Sequence, residues 1–515
     1  MSEDKPMPDL SVDKKVAGAL SKQALGGVGT MGITVGMQMS LQLLSIAVLA
    51  RILEPAEFGI VAAANIIIAF SNMFSDVALG SAIIQIKDMT RNHIRVAFTL
   101  SVASSIMVAI LLNMIAPYAA LYFEMPEIRD VIRVLSIVFL WAGLSTVSEN
   151  LMARSFRYRT LGLVKVGGSC VAVSMTIFLA YIGLGYWSIV IGIVLQSLFT
   201  MVCLMLVQQH DVRPSFHLQS LKELMYVGGG LSLSRFINYV ALNADNFFIA
   251  KMIGADGLGL YDRSYRLAGF PAQIFDRVAA KVALSTYARA QDDAARMNFA
   301  YRRGLALSAL IGMPLTFILG IFGTEIITVV LGDKWLAAII PFIILVSATF
   351  FRVSYKVSQS VMVASGKVYV FAMIQIVYAL IVVTGCYVAY PYGLYAVAWA
   401  VTGSIIANFV MLSVGASYLT GVSFLAFLKT CVHGLIMTAL SGCVLVPCVI
   451  MLRPIMPSSS VLLVGGGLTA VFVVVVLCAP YKWLWGNDGL WLREQVIVAF
   501  AKCLPQRRKK TNDKL

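Results

Sequence analysis

The segment ARILEPAEFGIVAAANIIIAFSNMFSD at residues 50–76 lies without a gap over AKMIGADGLGLYDRSYRLAGFPAQIFD at residues 250–276, an offset of 200. Ala50 meets Ala250, Arg51 meets Lys251, Gly59 meets Gly259, Phe70 meets Phe270 and Asp76 meets Asp276. Each copy begins at the end of one long apolar stretch, passes a short polar turn and enters the next stretch. Six apolar stretches separate the two copies, so both run in the same direction. One hairpin used twice predicts two parallel lobes related by an axis along the membrane normal.

Composition places this repeat in a bilayer. The 515 residues are 59% hydrophobic and 13% charged, with mean hydropathy +0.86; soluble chains carry about 25% charged residues. Apolar stretches long enough to cross a hydrocarbon core of about 30 Å recur from Leu25 to Ala479. They must be helices, because only a helix satisfies its own backbone hydrogen bonds in lipid. Runs such as IIAFSNMF and VFVVVVLCA lack the alternation of a β-barrel strand. The expected fold is therefore an all-α polytopic membrane protein.

About fourteen spans are expected, near residues 27–50, 59–85, 95–119, 130–151, 161–183, 186–208, 223–251, 257–282, 301–323, 336–364, 367–389, 393–418, 424–451 and 459–479. The eighth is interrupted by Asp262, Arg263, Arg266, Asp276 and Arg277. Loop charge supports keeping it. Alternate connections carry Lys87, Arg91 and Arg95, then Arg154, Arg157 and Arg159, then Arg213 and Lys222, then Arg289, Arg296, Arg302 and Arg303. The intervening ones (EPAE, FEMPE, GLGYW, YPYG, PSSS) hold few cations, so the first set faces the cytoplasm and both termini lie there. Without the eighth span this alternation breaks.

The resulting plan has an amphipathic segment at 1–24, a lobe at 25–210 (spans 1–6), a second lobe at 223–420 (spans 7–12), two further spans at 424–480, and a basic tail at 481–515. Val12, Val16, Ala19 and Leu20 share one helical face, as in a helix lying on the membrane surface. The N-terminus does not read as a cleavable signal. The tail holds LWLREQVIVAFAKCL before a polybasic end, a pattern suited to anionic lipid. The net charge of +15 is explained by topology and by cations inside the membrane, not by nucleic acid.

Those internal cations are the candidate site. Ionisable residues in spans are costly and usually face a cavity or a partner. The first lobe has Asp76, with Glu149 and Lys165 near inner ends. The second has Arg235, Asp245, Asp262, Arg263, Arg266, Asp276, Arg277, Arg352 and Lys356, and its deep positions are biased to cations. At about 1.5 Å per residue, Arg235 sits roughly 16–18 Å into span seven and Arg352 roughly 22–24 Å from the outer end of span ten. Arg352 and Lys356 are spaced i,i+4 and repel one another. A bound polyanion such as a diphosphate explains that cost; pairing with carboxylates on neighbouring helices, or snorkelling, is the alternative. Asp262 and Arg266 form such an i,i+4 pair. Asp76 and Asp245 are candidates for coupling to H+ or Na+, or else orient helices. Pro271, Pro314 and Pro341 mark bends or plain kinks.

No catalytic signature is present. Gly366–Lys367 is followed by Val rather than completing a phosphate loop, and the histidines at 93, 210, 217 and 433 form no HExxH. The eight cysteines form no CxxC pair, so neither metal nor cofactor is expected.

The stretch ARILEPAEFGIVA (50–62) followed by FSDVALGSAIIQ (74–85), together with GADGLGLYDRSYRLAGFPAQ (254–273), resembles the polysaccharide transporter family, the Wzx-type flippases, across about residues 25–480. That family shares a superfamily with MATE drug exporters and the lipid II flippase. The resemblance implies two helical lobes around a cavity. It also implies passage of undecaprenyl-diphosphate-linked oligosaccharide from the cytoplasmic to the periplasmic leaflet of a bacterial inner membrane, for exopolysaccharide or O-antigen. A polysaccharide polymerase and co-polymerase are the implied partners. Arg235, Arg263, Arg266, Arg352 and Lys356 are the positions here able to supply a cation-lined cavity. Two rivals remain open: a MATE-like exporter, whose cationic cargo would want carboxylates, and a membrane polymerase or ligase, which would want a long outer loop.

Overall fold

A computed structural model describes residues 32–75, 83, 90–209, 212–215, 217, 243–275, 287, 293–479, 481, 485–486, 490–491 and 493–494. These residues form helices and turns, with no strand among them. The helices are α1 Gly32–Ile52, α2 Pro55–Ser75, α3 Arg91–Phe123, α4 Glu127–Arg154, α5 Tyr158–Tyr181, α6 Trp187–Val207, α7 at 243–252 and α8 Gly254–Phe275. They continue with α9 Ala294–Ile321, a short helix Gly323–Val330, α10a Ile339–Ser347, α10b Thr349–Ala364, α11 Val368–Ala389, α12 Leu394–Thr420, α13 Phe424–Leu452 and α14 Ser458–Cys478.

Among the described residues, 12 helices are long and apolar enough to span a bilayer. They match expected spans one to six and nine to fourteen. Most of span seven, the segment 1–24, Asp76, Arg235 and the basic end of the tail lie outside the described residues. Span eight is a continuous helix of 22 residues, which charge excludes from the hydropathy count. Fourteen is therefore close to the observed number.

Two compact units result, Met1–Gly259 and Leu260–Leu515. The division falls inside α8, whereas the repeat places the lobe boundary between 210 and 223. In the first unit, α4 packs on α3 and α5 packs on α6. Ser101 donates to the carbonyl of Gly143 at 2.9 Å, and a Cβ at Gly143 would overlap the Ser105 hydroxyl. Small residues thus let two backbones approach, the usual means of joining helices where lipid supplies no hydrophobic drive. Tight reversals do the rest: α3 ends on Glu124 in the left-handed region (φ 58°).

In the second unit, α10b lies between α9 and α12, joined by hydroxyl pairs. Ser308 meets Ser354 at 3.0 Å, Tyr301 meets Ser358 at 2.9 Å, and Ser358 meets Ser413 at 3.3 Å. The two further spans are peripheral: α13 packs on α9, and α14 on α13 and on the short helix. Only 11% of the α14 window is buried, so this helix is a lipid-facing addition. Arg453, at the α13–α14 turn, grips buried Glu325 through two hydrogen bonds of 2.7 and 3.0 Å.

One local expectation is corrected. The tenth span is not one helix: it breaks at Ala348, where the backbone N–H of Phe350 donates to the Thr316 hydroxyl on α9 at 3.0 Å. A side chain inserted into the ladder ends a helix; Pro341 lies in the first turn of α10a and breaks nothing. The described tail residues pack on helices of the second unit. Trp485 is 6% exposed and packs with Leu310 and Met437, and the Arg303 guanidinium lies 3.8 Å from the Trp491 ring centroid.

Candidate functional site

The second unit assembles four of the five predicted cations on two elements. From α8 come Arg263 and Arg266; from α10b come Arg352 and Lys356. Asp262, 4% exposed, takes both α8 arginines. Arg266 Nε lies 2.9 and 2.8 Å from its two oxygens, and Arg263 Nη2 lies 3.4 Å from one of them. The i,i+4 pair anticipated from spacing therefore forms. Two guanidinium groups share this carboxylate.

Arg352 has a different environment. Its residue is 7% exposed, and its guanidinium carbon lies 4.5 Å from the Tyr265 ring centroid. Gly269 of α8 lies beside it, since a Cβ there would be in ordinary contact with Nη1 at 3.4 Å. Nη2 is buried and has no hydrogen-bond partner among the described residues. The ring contributes about 2 kcal/mol or more where the cation is desolvated, against a cost of several kcal/mol for burying one ion.

The break in span ten adds to this. Arg352 lies near the start of α10b, its own N–H bonded to the Ala348 carbonyl at 2.9 Å, where the helix dipole favours negative charge. Thr349, one turn earlier on the same face, is fully buried, and its hydroxyl has no hydrogen-bond partner among the described residues. Lys356, one turn further on, has its Nζ 5.3 Å from the Tyr355 ring centroid. Tyr265, Gly269, Thr316 and Thr349 were not singled out from the sequence. Thr349 was the most discoverable, standing three residues before Arg352 on one helical face.

Asp245 belongs to the first unit, where it is 2% exposed and accepts the Asn246 backbone N–H at 2.8 Å. Glu149 and Lys165, near predicted inner ends, pair with each other. No group of three or more metal-ligating side chains occurs among the described residues.

A family model described as "Polysaccharide biosynthesis protein" matches residues 48–340, more than half of the chain. The chain belongs to this family of polysaccharide biosynthesis proteins. Relatives of the family member include the teichuronic acid biosynthesis protein TuaB of Bacillus subtilis, 23% identical over 68% of this chain and 73% of that protein. The lipopolysaccharide biosynthesis protein WzxC of Escherichia coli is 22% identical over 63% and 66% respectively. The succinoglycan biosynthesis transport protein ExoT of Rhizobium meliloti is 24% identical over 62% and 64%. The matches thus span about two thirds of these proteins' lengths. Among solved structures, the lipid II flippase MurJ superposes with TM-score 0.71 at 13% identity, over 86% of this chain and 98% of that one. A multidrug resistance MATE transporter gives TM-score 0.58 at 16% identity, over 75% and 96%. At such identities the likeness shows the fold alone: a multi-pass membrane protein of the MurJ and MATE architecture.

Proposed function

We propose that this protein is a flippase carrying lipid-diphosphate-linked oligosaccharide repeat units from the inner to the outer leaflet of a bacterial plasma membrane. Its family, the polysaccharide roles in its relatives' names and its flippase-like fold support the cargo class. The observation that carries the site is the buried guanidinium of Arg352, which has no carboxylate partner among the described residues and stands next to a helix break. A diphosphate supplies the missing negative charge. Arg263, Arg266 and Lys356 extend the positive region, and Arg235 is assigned to it from sequence. In this reading the sugar occupies a hydrated cavity while the polyprenyl chain stays in lipid.

Both termini are placed in the cytoplasm by the loop charges, and a polymerase receiving the flipped units is the expected partner. Coupling to H+ or Na+ requires a membrane carboxylate, and Asp245 and Asp76 are the candidates. Export of cationic drugs is disfavoured, because a site biased to cations repels such cargo.

The test is charge removal. Arg352→Ala combined with Lys356→Ala should abolish polysaccharide export at normal protein level in the membrane, with lipid-linked repeat units accumulating. Full export by the double variant sinks the diphosphate site.

A further inference from the structure

We infer that the outer ends of α2 and α8 form the outer gate of the transport path, closed here by a reciprocal glycine crossing and latched by Lys251 and Glu124. What passes the gate rests on the flippase reading; the contact itself does not.

Both partners of the crossing lie in the first unit. A Cβ built on Gly59 would overlap the backbone carbonyl of Ala255, and a Cβ built on Gly259 would overlap the backbone carbonyl of Pro55. Under the 200-residue offset, 55 corresponds to 255 and 59 to 259. Exchanging the repeats therefore maps the contact onto itself, as expected where two copies of one hairpin meet on their two-fold axis. The obstacles are backbone atoms, which cannot swing aside like a side chain, so any larger residue at either position forces the helices apart. Cα–H to carbonyl contacts of this kind are worth about 0.5–1 kcal/mol each. Such a crossing excludes water yet opens at low cost.

A second contact sits at the same end. Lys251 Nζ lies 2.8 Å from Glu124 Oε1, in the turn between α3 and α4. It also lies 5.2 Å from the Tyr122 ring centroid, and Tyr122 stacks on Phe247 at 5.4 Å. Segments that the repeat assigns to the second lobe, α7 and the first turn of α8, are thus held by helices of the first. This is why the first compact unit extends to Gly259. Loop charge places all of these residues on the outer face. Lobes that rock to admit cargo from alternate sides cannot keep this grip in every state.

The experiment uses the full chain in its own membrane, without its eight native cysteines. Glu124→Cys with Lys251→Cys should be joined efficiently by a short bifunctional maleimide, and joining should stop polysaccharide export, whereas either single cysteine should not. Adding Gly59→Ala or Gly259→Ala should lower the joining yield several-fold. Should a glycine variant fail to accumulate, charge exchange replaces it: thiols at Phe247→Cys and Tyr122→Cys should join poorly with Glu124→Lys or Lys251→Glu alone, and normally with both. Joined protein that exports normally, or parent thiols that never join, overturns the gate. Export that persists when the whole chain is deleted refutes the flippase reading instead and leaves the joining yields to judge the gate.

Discussion

Arg352 and Glu124 are both charged, and burial separates their roles. Arg352 is buried with no carboxylate partner among the described residues, and replacing such a cation by an apolar residue of similar volume should leave the fold as stable or more so, by roughly 1–4 kcal/mol. Arg352→Met is therefore expected to hold or raise the melting temperature of the purified protein while export is lost. A fall of several degrees would show that Arg352 holds the bundle together. Glu124 is exposed, and its carboxyl is held below the usual range first by the hydrogen bond from Lys251 and then by its charge. A depressed carboxyl contributes above its unfolded value and loses that contribution as pH falls through the folded value. The Glu124–Lys251 latch should thus be constant from pH 8 to 6 and weaken only below about pH 4. Outer-face thiol labelling followed across pH checks this, and a transition near pH 6–7 would contradict it.

At the scale of elements, the helices were legible because about twenty apolar residues have one solution in lipid. α8 survives on the alternation of loop charge, since Asp262, Arg263 and Arg266 hide it from hydropathy. The break in span ten was not legible. Pro341 pointed to the wrong place, because the cause is the Thr316 hydroxyl reaching from another helix, a tertiary contact without a local signature. Thr316→Val leaves the Phe350 N–H without that partner, at a cost of about 1–3 kcal/mol. The variant should melt earlier and transport more slowly, because the first turn of α10b carries Arg352. Unchanged stability and export in Thr316→Val would show that the break does not depend on that bond.

At the scale of the molecule, the 200-residue offset disclosed the duplicated hairpin but not that Gly59 and Gly259 meet. Sequence likeness says which segments are equivalent, while their contact depends on how the lobes pack. The same limit applied to the site. Spacing gave the Asp262–Arg266 pair because both lie on one helix. Tyr265 beneath Arg352 was hidden, because it joins helices far apart in the chain.

The central claim, that the protein moves a lipid-diphosphate oligosaccharide between leaflets, is tested most directly in proteoliposomes. Purified protein is reconstituted with lipid-linked repeat units extracted from its host, and the fraction open to a membrane-impermeant periodate probe is followed. The account predicts that wild type carries labelled units across within the assay, while the variant carrying both Arg352→Ala and Lys356→Ala stays at the protein-free rate. Protein-free and wild-type vesicles giving the same rate, with the protein folded and the proposed coupling-ion gradients imposed, would contradict it.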